Sequence, residues 1–170
     1  MEETRQQQFL EAYDQYADDI FRFCLVKMRN RDEALDVMQE TFTKTWEYLA
    51  GDKDVDNIRA FLYQVARNKI IDWSRKKKAD SLDTILEAGV EFGDDSEQSE
   101  AVERKIDARF LVELIDELPQ KYRDVVYFKY VEDLTIQEIS DIVGQRENTV
   151  SVHLHRGLEK LEEIYNNQHE

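Results

Sequence analysis

The sequence predicts an all-α protein made of two small helical domains joined by a flexible acidic linker. The chain of 170 residues has one proline and five glycines, a composition that favours helices over sheets with many turns. Apolar residues recur at three- and four-residue steps, as on one face of a helix. Residues 81–118 carry 12 Asp and Glu residues against three Lys and Arg residues, in a chain of formal net charge −15. We therefore expect helical domains at residues 1–80 and 105–170, and a glycine-containing linker without sustained helical period at residues 81–104.

The first predicted segment is amphipathic and consists of one helix or two short consecutive ones. Its apolar residues, expected in the core, are Phe9, Tyr13, Tyr16, Ile20 and Phe23. Cys24 lies in the same apolar stretch. Because it is the only cysteine, it cannot form a disulfide or a cysteine-based metal site within the chain, and we expect it in the core.

The second predicted helix starts at Glu33, after the polar residues 30–32 interrupt the apolar pattern. Its expected buried residues are Ala34, Met38, Phe42, Thr45 and Leu49. Its other face presents a polar set to solvent or to a partner, because these residues fall on the opposite side at helical spacing. That set is Asp36, Gln39, Glu40 and Lys44.

The third predicted helix runs from about residue 57 to residue 78, after a polar loop. Its apolar residues are Ile58, Phe61, Leu62, Val65, Ala66, Ile70 and Trp73. Cations cluster at its end, at residues 75–78, beside Tyr63 and Trp73. Cations next to aromatic rings are typical of surfaces that bind phosphates and stack on unpaired bases. Cations in a last turn also simply complement the helix dipole, so both interpretations stay open.

A helix-turn-helix is predicted between residues 135 and 161. Thr135 and Glu138 form a capping box that starts the first helix, and Gly144 can take the positive φ that ends it. The apolar residues between them, at helical spacing, are Ile136, Ile139, Ile142 and Val143.

The second helix of this unit is expected to be capped by Asn148 or Thr149. Its predicted buried face comprises Val150, Leu154, Leu158 and Leu161. Its opposite face comprises Ser151, His153, His155 and Arg156. In a DNA-binding helix-turn-helix that face would enter the major groove. The alternative is an ordinary helical hairpin with a solvated polar face.

Several classes of protein are disfavoured by the sequence. It contains no glycine-rich phosphate loop, no readable catalytic arrangement and no cluster with metal-ligand spacing, so we expect neither an enzyme nor a cofactor or metal. His153 and His155 are two residues apart and do not share a helix face, which disfavours a metal site formed by the two side chains. The chain has no apolar run long enough to span a bilayer and no signal-peptide pattern at its start, and we expect a cytoplasmic protein.

Two segments resemble conserved regions of the extracytoplasmic-function group of bacterial RNA polymerase sigma factors. Residues 32–42, with the sequence Asp-Glu-Ala-Leu-Asp-Val-Met-Gln-Glu-Thr-Phe, and residues 60–68, Ala-Phe-Leu-Tyr-Gln-Val-Ala-Arg-Asn, look like the family's second region. Residues 118–126, Leu-Pro-Gln-Lys-Tyr-Arg-Asp-Val-Val, which lead into the helix-turn-helix, look like its fourth region.

This resemblance implies a sigma factor that binds RNA polymerase core, at its clamp helices and flap, together with promoter DNA. The residues implied in core binding are Asp36, Gln39, Glu40 and Phe42. Residues 51–59 and the third helix would recognise the downstream promoter element as it opens, through Arg67, Asn68, Lys69, Asp72, Trp73, Arg75 and Lys76. The upstream element would be contacted by Arg146, Asn148, Thr149, Ser151, His153, His155 and Arg156. The linker would pass through polymerase near the nascent RNA, and an inhibitory anti-sigma factor is expected.

The second helix of the helix-turn-helix departs from the family pattern. Members commonly carry Lys or Arg at the positions of Ser151 and His153, and often at that of Leu158. We therefore expect weak DNA binding by the free chain, with polymerase core supplying most of the affinity. Two other functions remain open: a DNA-binding regulator that is not a polymerase subunit, and an acidic helical adaptor without a nucleic-acid partner.

Overall fold

The computed structural model describes residues 2–80 and 109–169, and all regular secondary structure within them is helical. The described residues form two units. The first comprises α1 (Glu2–Met28), α2 (Arg31–Ala50) and α3 (Ile58–Asp80). The second comprises α4 (109–116), α5 (Gln120–Tyr130), α6 (Ile136–Val143) and α7 (Glu147–Gln168). The predicted all-α fold of two helical domains is confirmed, whereas the predicted linker at 81–104 lies outside the described residues.

In the first unit each helix packs against the other two. Side-chain caps set where the helices begin. The Asn30 side chain accepts a hydrogen bond from the Glu33 backbone N–H at 3.0 Å, so α2 begins two residues earlier than predicted. The Asn57 side chain accepts one from the Ala60 N–H at 3.0 Å, at the start of α3. α1 is one continuous helix, and all five predicted buried residues of α2 are buried.

The core of this unit contains Cys24 and Tyr63. Cys24 is fully buried, as predicted, and burial raises the pKa of its thiol to about 12. The Tyr63 ring packs edge-on against Phe23, with centroids 5.7 Å apart, and the residue is 0% exposed. Tyr63 is therefore unavailable as a stacking surface for bases, which was one of the two interpretations left open by the sequence, because α1 covers that side of α3.

In the second unit α5, α6 and α7 pack together around buried residues that include Val126, Phe128, Ile139 and Val150. The predicted capping box is present: the Thr135 hydroxyl and the Glu138 carboxylate each accept the other residue's backbone N–H at 3.1 Å. Gly144 ends α6 at a φ of +70°.

α7 begins at Glu147, earlier than predicted. The Val150 N–H donates to the Arg146 carbonyl at 3.0 Å, so Arg146 is the N-cap residue, and its side chain makes no capping hydrogen bond. The prediction that Asn148 or Thr149 caps this helix is wrong, because both residues lie within its first turn.

The buried face of α7 contains Val150, Leu154 and Gly157. A Cβ atom on Gly157 would lie 2.6 Å from Cγ2 of Val126, so the glycine permits close contact with α5. Leu158, predicted on this face, is 39% exposed. Each residue turns the helix by about 100°. Gly157, seven residues after Val150, therefore points in nearly the same direction as Val150, whereas Leu158, eight residues after it, points away from the buried face.

Candidate functional site

An apolar groove lies between α1 and α2, with a volume of about 450 Å³. It is lined by Gln6, Phe9, Leu10, Tyr13, Gln39, Phe42, Thr43 and Trp46. Tyr13 was predicted in the core but is 40% exposed. Its ring forms a wall of the groove and packs edge-on against Phe42, with centroids 4.8 Å apart. Helical spacing placed Tyr13 near the apolar face without showing that α2 leaves it uncovered.

Phe42 lies at the floor of the apolar groove. It is 3% exposed, and its ring contacts Tyr13 and Phe9, the latter at 6.2 Å between centroids. The sequence predicted both burial and a docking contact for this residue, and the burial is confirmed. Phe42 therefore shapes the groove from beneath, whereas Gln39 is exposed at its rim.

A charged groove lies on the other side of α2, against α3, with a volume of about 320 Å³. It is lined by Glu33, Asp36, Val37, Glu40, Lys69, Asp72, Trp73 and Lys76. The ammonium group of Lys69 lies 3.5 Å from the Glu40 carboxylate. The ammonium group of Lys77 lies 3.9 Å from the Glu33 carboxylate and 4.5 Å from the centre of the Trp73 ring.

The charged groove joins residues that the sequence assigned to different roles. Asp36 and Glu40, expected to dock polymerase, share it with Lys69, Asp72 and Trp73, expected to contact DNA. The four residues of the expected docking set are thus divided between two grooves. Helical spacing within α2 and α3 could not reveal this arrangement, because it depends on how the two helices pack.

The remaining residues expected to contact the downstream element lie along α3. Asn68 and Arg75 are exposed, and Arg67 is half-buried. The exposed cations at the C-terminal end of α3, Arg75, Lys76, Lys77 and Lys78, form a continuous basic stretch.

The loop between α2 and α3 is held by Arg5, a residue that sequence reasoning missed. Its guanidinium group pairs with Asp52 and lies 3.6 Å from the Asp54 carboxylate. It also donates to the Leu49 carbonyl at 3.3 Å. Asp52 has a φ of +61°. No local pattern links a cation in the first turns of α1 to a loop 47 residues later.

The exposed face of α7 is close to the predicted one. The exposed members of the predicted set are Arg146, Asn148, Ser151, His155 and Arg156, and Thr149 is half-buried. Nε2 of His155 lies 3.1 Å from the Glu159 carboxylate, which places an acidic group on this face. Val152, which sequence reasoning passed over, is 45% exposed among these residues.

His153 does not lie on the exposed face as predicted. It is half-buried, with its ring 5.6 Å from that of Tyr122, and its Nδ1 atom is buried without a hydrogen-bond partner among the described residues. α5 covers this flank of α7 through Tyr122, which helical spacing within α7 could not show.

Within residues 2–80 and 109–169, no helix is long and apolar enough to cross a membrane. The same residues contain no group of three or more His, Cys, Asp or Glu side chains placed to hold a metal ion.

Comparison with known families matches both units. Residues 12–79 match the family described as Sigma-70 region 2, and residues 111–161 match Sigma-70, region 4. The chain is 31% identical over 164 residues to the ECF RNA polymerase sigma factor SigW of Bacillus subtilis, covering 92% of this chain and 88% of the relative. It is 31% identical over 156 residues to SigM of the same organism, covering 92% of this chain and 94% of the relative.

Two solved structures have a similar fold. One is the sigma factor RpoE in complex with the anti-sigma factor NepR from Bartonella quintana, with a TM-score of 0.73 and 16% identity over 94% of this chain and 98% of that one. The other is CnrH in complex with the cytosolic domain of CnrY, with a TM-score of 0.68 and 20% identity over 95% of this chain and 90% of that one. At these identities the likeness concerns the fold alone.

Proposed function

The chain belongs to the extracytoplasmic-function (ECF) RNA polymerase sigma factors, and we propose that it binds RNA polymerase core and directs transcription initiation at specific promoters. The observation that carries this function is the 31% identity to SigW over 164 residues, which spans both the region 2 match and the region 4 match. A regulator that does not join polymerase would leave the two grooves on α2 without a role.

We assign the docking of polymerase core to the surface around α2. Asp36, Gln39 and Glu40 are exposed there, between an apolar groove and a charged groove. Stable protein interfaces combine an apolar centre with a charged rim, and the charges select the partner. The apolar groove can accept aliphatic or aromatic side chains of the clamp helices, while the carboxylates pair with cations on the same partner.

We assign recognition of the downstream promoter element to α3 and to the loop before it. Lys76 and Arg75 are exposed and can neutralise the phosphates of a separated strand. Trp73 is half-buried beside them, and an aromatic ring next to cations suits an unpaired base. The loop before α3, which Arg5 contacts through Asp52, lies at the opposite end of that helix and would form a second part of this surface.

We assign recognition of the upstream promoter element to the exposed face of α7, in the major groove, with this unit also contacting the polymerase flap. Arg156 is the central cation of that face, while Glu159 adds negative charge beside His155. Weak binding of free DNA follows, because few phosphates can be neutralised. Polymerase core then supplies most of the affinity, and α7 supplies register and specificity. Residues 81–104, outside the described residues, would connect the two functions.

We further propose that an anti-sigma factor holds this chain inactive; RpoE, which has a similar fold, was solved in complex with the anti-sigma factor NepR. Such a partner must cover the surfaces that dock polymerase or DNA. The proposed role is that of a cytoplasmic, non-enzymatic specificity subunit.

The test is transcription with the purified full-length chain and RNA polymerase core on a promoter library. We expect initiation from a defined set of promoters, and none from core alone. Failure of the chain to bind core, measured by size-exclusion chromatography of the mixture, would overturn the proposal. The substitution Glu47→Gln, on α2 but outside both grooves, is the matched control for docking variants.

A further inference from the structure

Val152 is an exposed apolar residue on the polar face of α7. Its side chain is 45% exposed, whereas Val150 and Leu154, on the opposite side of the helix, are buried. A β-branched residue has a lower helix propensity than alanine, and Val152 is not among the buried residues of the core. Its presence on this face therefore does not follow from the stability of the unit.

The position of Val152 in α7 is that of a residue able to reach base edges. α7 begins at Glu147, so Val152 is in its second turn, and the N-terminal part of a helix in the major groove is the part that contacts bases. Asn148 lies one turn before it, and His155 and Arg156 lie one turn after it, all of them exposed. The side chain is thus surrounded by groups that can hydrogen-bond to DNA, while it cannot do so itself.

We propose that Val152 is a specificity-determining residue that packs against the 5-methyl group of a thymine in the upstream promoter element. The thymine methyl is the apolar group that base pairs present in the major groove, and small apolar side chains are its usual contacts. A cytosine or a purine at the same position would place a polar base edge, not a methyl group, against the Val152 side chain. This inference rests on the proposed function, since it requires α7 to enter the major groove.

The alternative is that Val152 is a solvent-exposed apolar residue without a partner, which is common on protein surfaces. The two possibilities differ in whether an effect of Val152 depends on one methyl group of the DNA. Replacing thymine by deoxyuridine removes that methyl group and leaves base pairing intact.

The experiment uses holoenzyme assembled from polymerase core and the full-length chain. Upstream elements are first selected from a randomised library by initiation, and each thymine in them is then replaced singly by deoxyuridine. At sub-saturating holoenzyme we expect the wild-type chain to lose about fourfold in initiation at one thymine, the effect of uncovering one methyl-sized group. With the Val152→Ala variant, replacing that thymine by deoxyuridine should cause no loss of initiation. Replacing any other thymine should have the same effect as it has with the wild-type chain.

The control is Leu158→Ala, which removes another exposed apolar side chain about 9 Å farther along α7. It should retain the wild-type penalty at the same thymine. Circular dichroism and thermal unfolding of each variant would check that the helical content and stability of the protein are retained. If the Val152→Ala variant lost as much initiation as the wild-type chain when each thymine was replaced by deoxyuridine, the inference would be overturned. Selected upstream elements without thymine would also overturn it. Neither outcome would affect the proposed function. Absence of any initiation by the wild-type holoenzyme would instead overturn the proposed function, and this inference with it.

Discussion

The ammonium group of Lys69 lies 3.5 Å from the carboxylate of Glu40 and links α3 to α2 across the charged groove. The Glu40 side chain is 65% exposed. Ion pairs at such an exposure contribute about 0–1 kcal/mol to stability. The pair is therefore cheap to break, and partners that compete for either residue can separate it. A surface proposed for polymerase and one proposed for DNA thus meet across the charged groove, and this ion pair joins them.

Combining Asp36→Asn with Glu40→Gln should weaken binding to polymerase core by roughly tenfold or more, because two carboxylates are lost from a charge-matched interface. The free energy of unfolding should change by less than about 1 kcal/mol. Binding is measured by fluorescence anisotropy of labelled chain with core. The control Glu47→Gln should bind like wild type, and equal losses for both variants would contradict the assignment of the docking surface.

Combining Leu10→Ala with Tyr13→Ala should weaken core binding by about tenfold or more, because these side chains form exposed walls of the apolar groove. Phe42→Ala is unsuitable for this purpose, since removing a buried phenylalanine costs about 3–5 kcal/mol of stability. Tyr130→Ala, at a tyrosine of the second unit that is 46% exposed, is the control. Unchanged core affinity of the double variant would remove the apolar groove from the proposed interface.

Arg156→Ala should lower the dependence of promoter binding on salt by about one unit of slope, because one phosphate contact is lost. The measurement is holoenzyme affinity for one promoter over a series of salt concentrations. The loss should be nearly uniform across upstream sequences. A loss confined to one base position would instead assign Arg156 to base recognition.

Gly157→Ala should destabilise the second unit by about 1–3 kcal/mol, because the new methyl group would lie 2.6 Å from Val126 and force α7 away from α5. Urea unfolding of the full-length chain measures the effect. Gly51→Ala is the matched control, since its nearest new contact is the Glu47 carbonyl at 3.4 Å. Equal stability of the two variants would show that α7 can shift without cost.

Alkylation of Cys24 should be slower in the folded chain than in denaturant by more than about tenfold, because burial favours the unreactive thiol.

The raised pKa of Cys24 also makes the stability of the fold depend on pH. Between the ordinary value of 9.0 and the folded value of about 12, only the unfolded chain loses the proton. Stability is therefore retained below pH 9 and decreases as pH rises toward 12. In a Cys24→Ala variant, stability should decrease less between pH 9 and pH 12 than in the wild-type chain. Identical pH profiles of stability for the variant and the wild type would contradict this prediction.

Much of the fold follows from local rules. The capping box at Thr135, the positive φ of Gly144 and the buried face of α2 each depend on residues within a few positions of one another, and all were predicted. The errors concern the edges of helix faces. Tyr63 and His153 are covered by a neighbouring helix, whereas Tyr13 is left open, and periodicity within one helix cannot distinguish these outcomes.

The candidate site was predictable in its residue types but not in its arrangement. Exposure of Asp36, Gln39 and Glu40 followed from helical spacing. The division of these residues between two grooves depends on packing between helices, and so does the pairing of Glu40 with Lys69. Val152 was assigned to neither face of the second helix, although helical spacing places it beside Ser151 and His155.

The hold of Arg5 on the loop has a practical consequence for work with this protein. The guanidinium group bridges the start of α1 to Asp52 and Asp54, so the shape of the loop depends on the order of the first helical turns. An affinity tag or a proteolytic cut that frays those turns would release the loop while leaving α2 in place. Because Gln6 and Phe9 in the same turns line the apolar groove, such damage would alter the groove together with the loop, a defect easily mistaken for an inactive batch of protein.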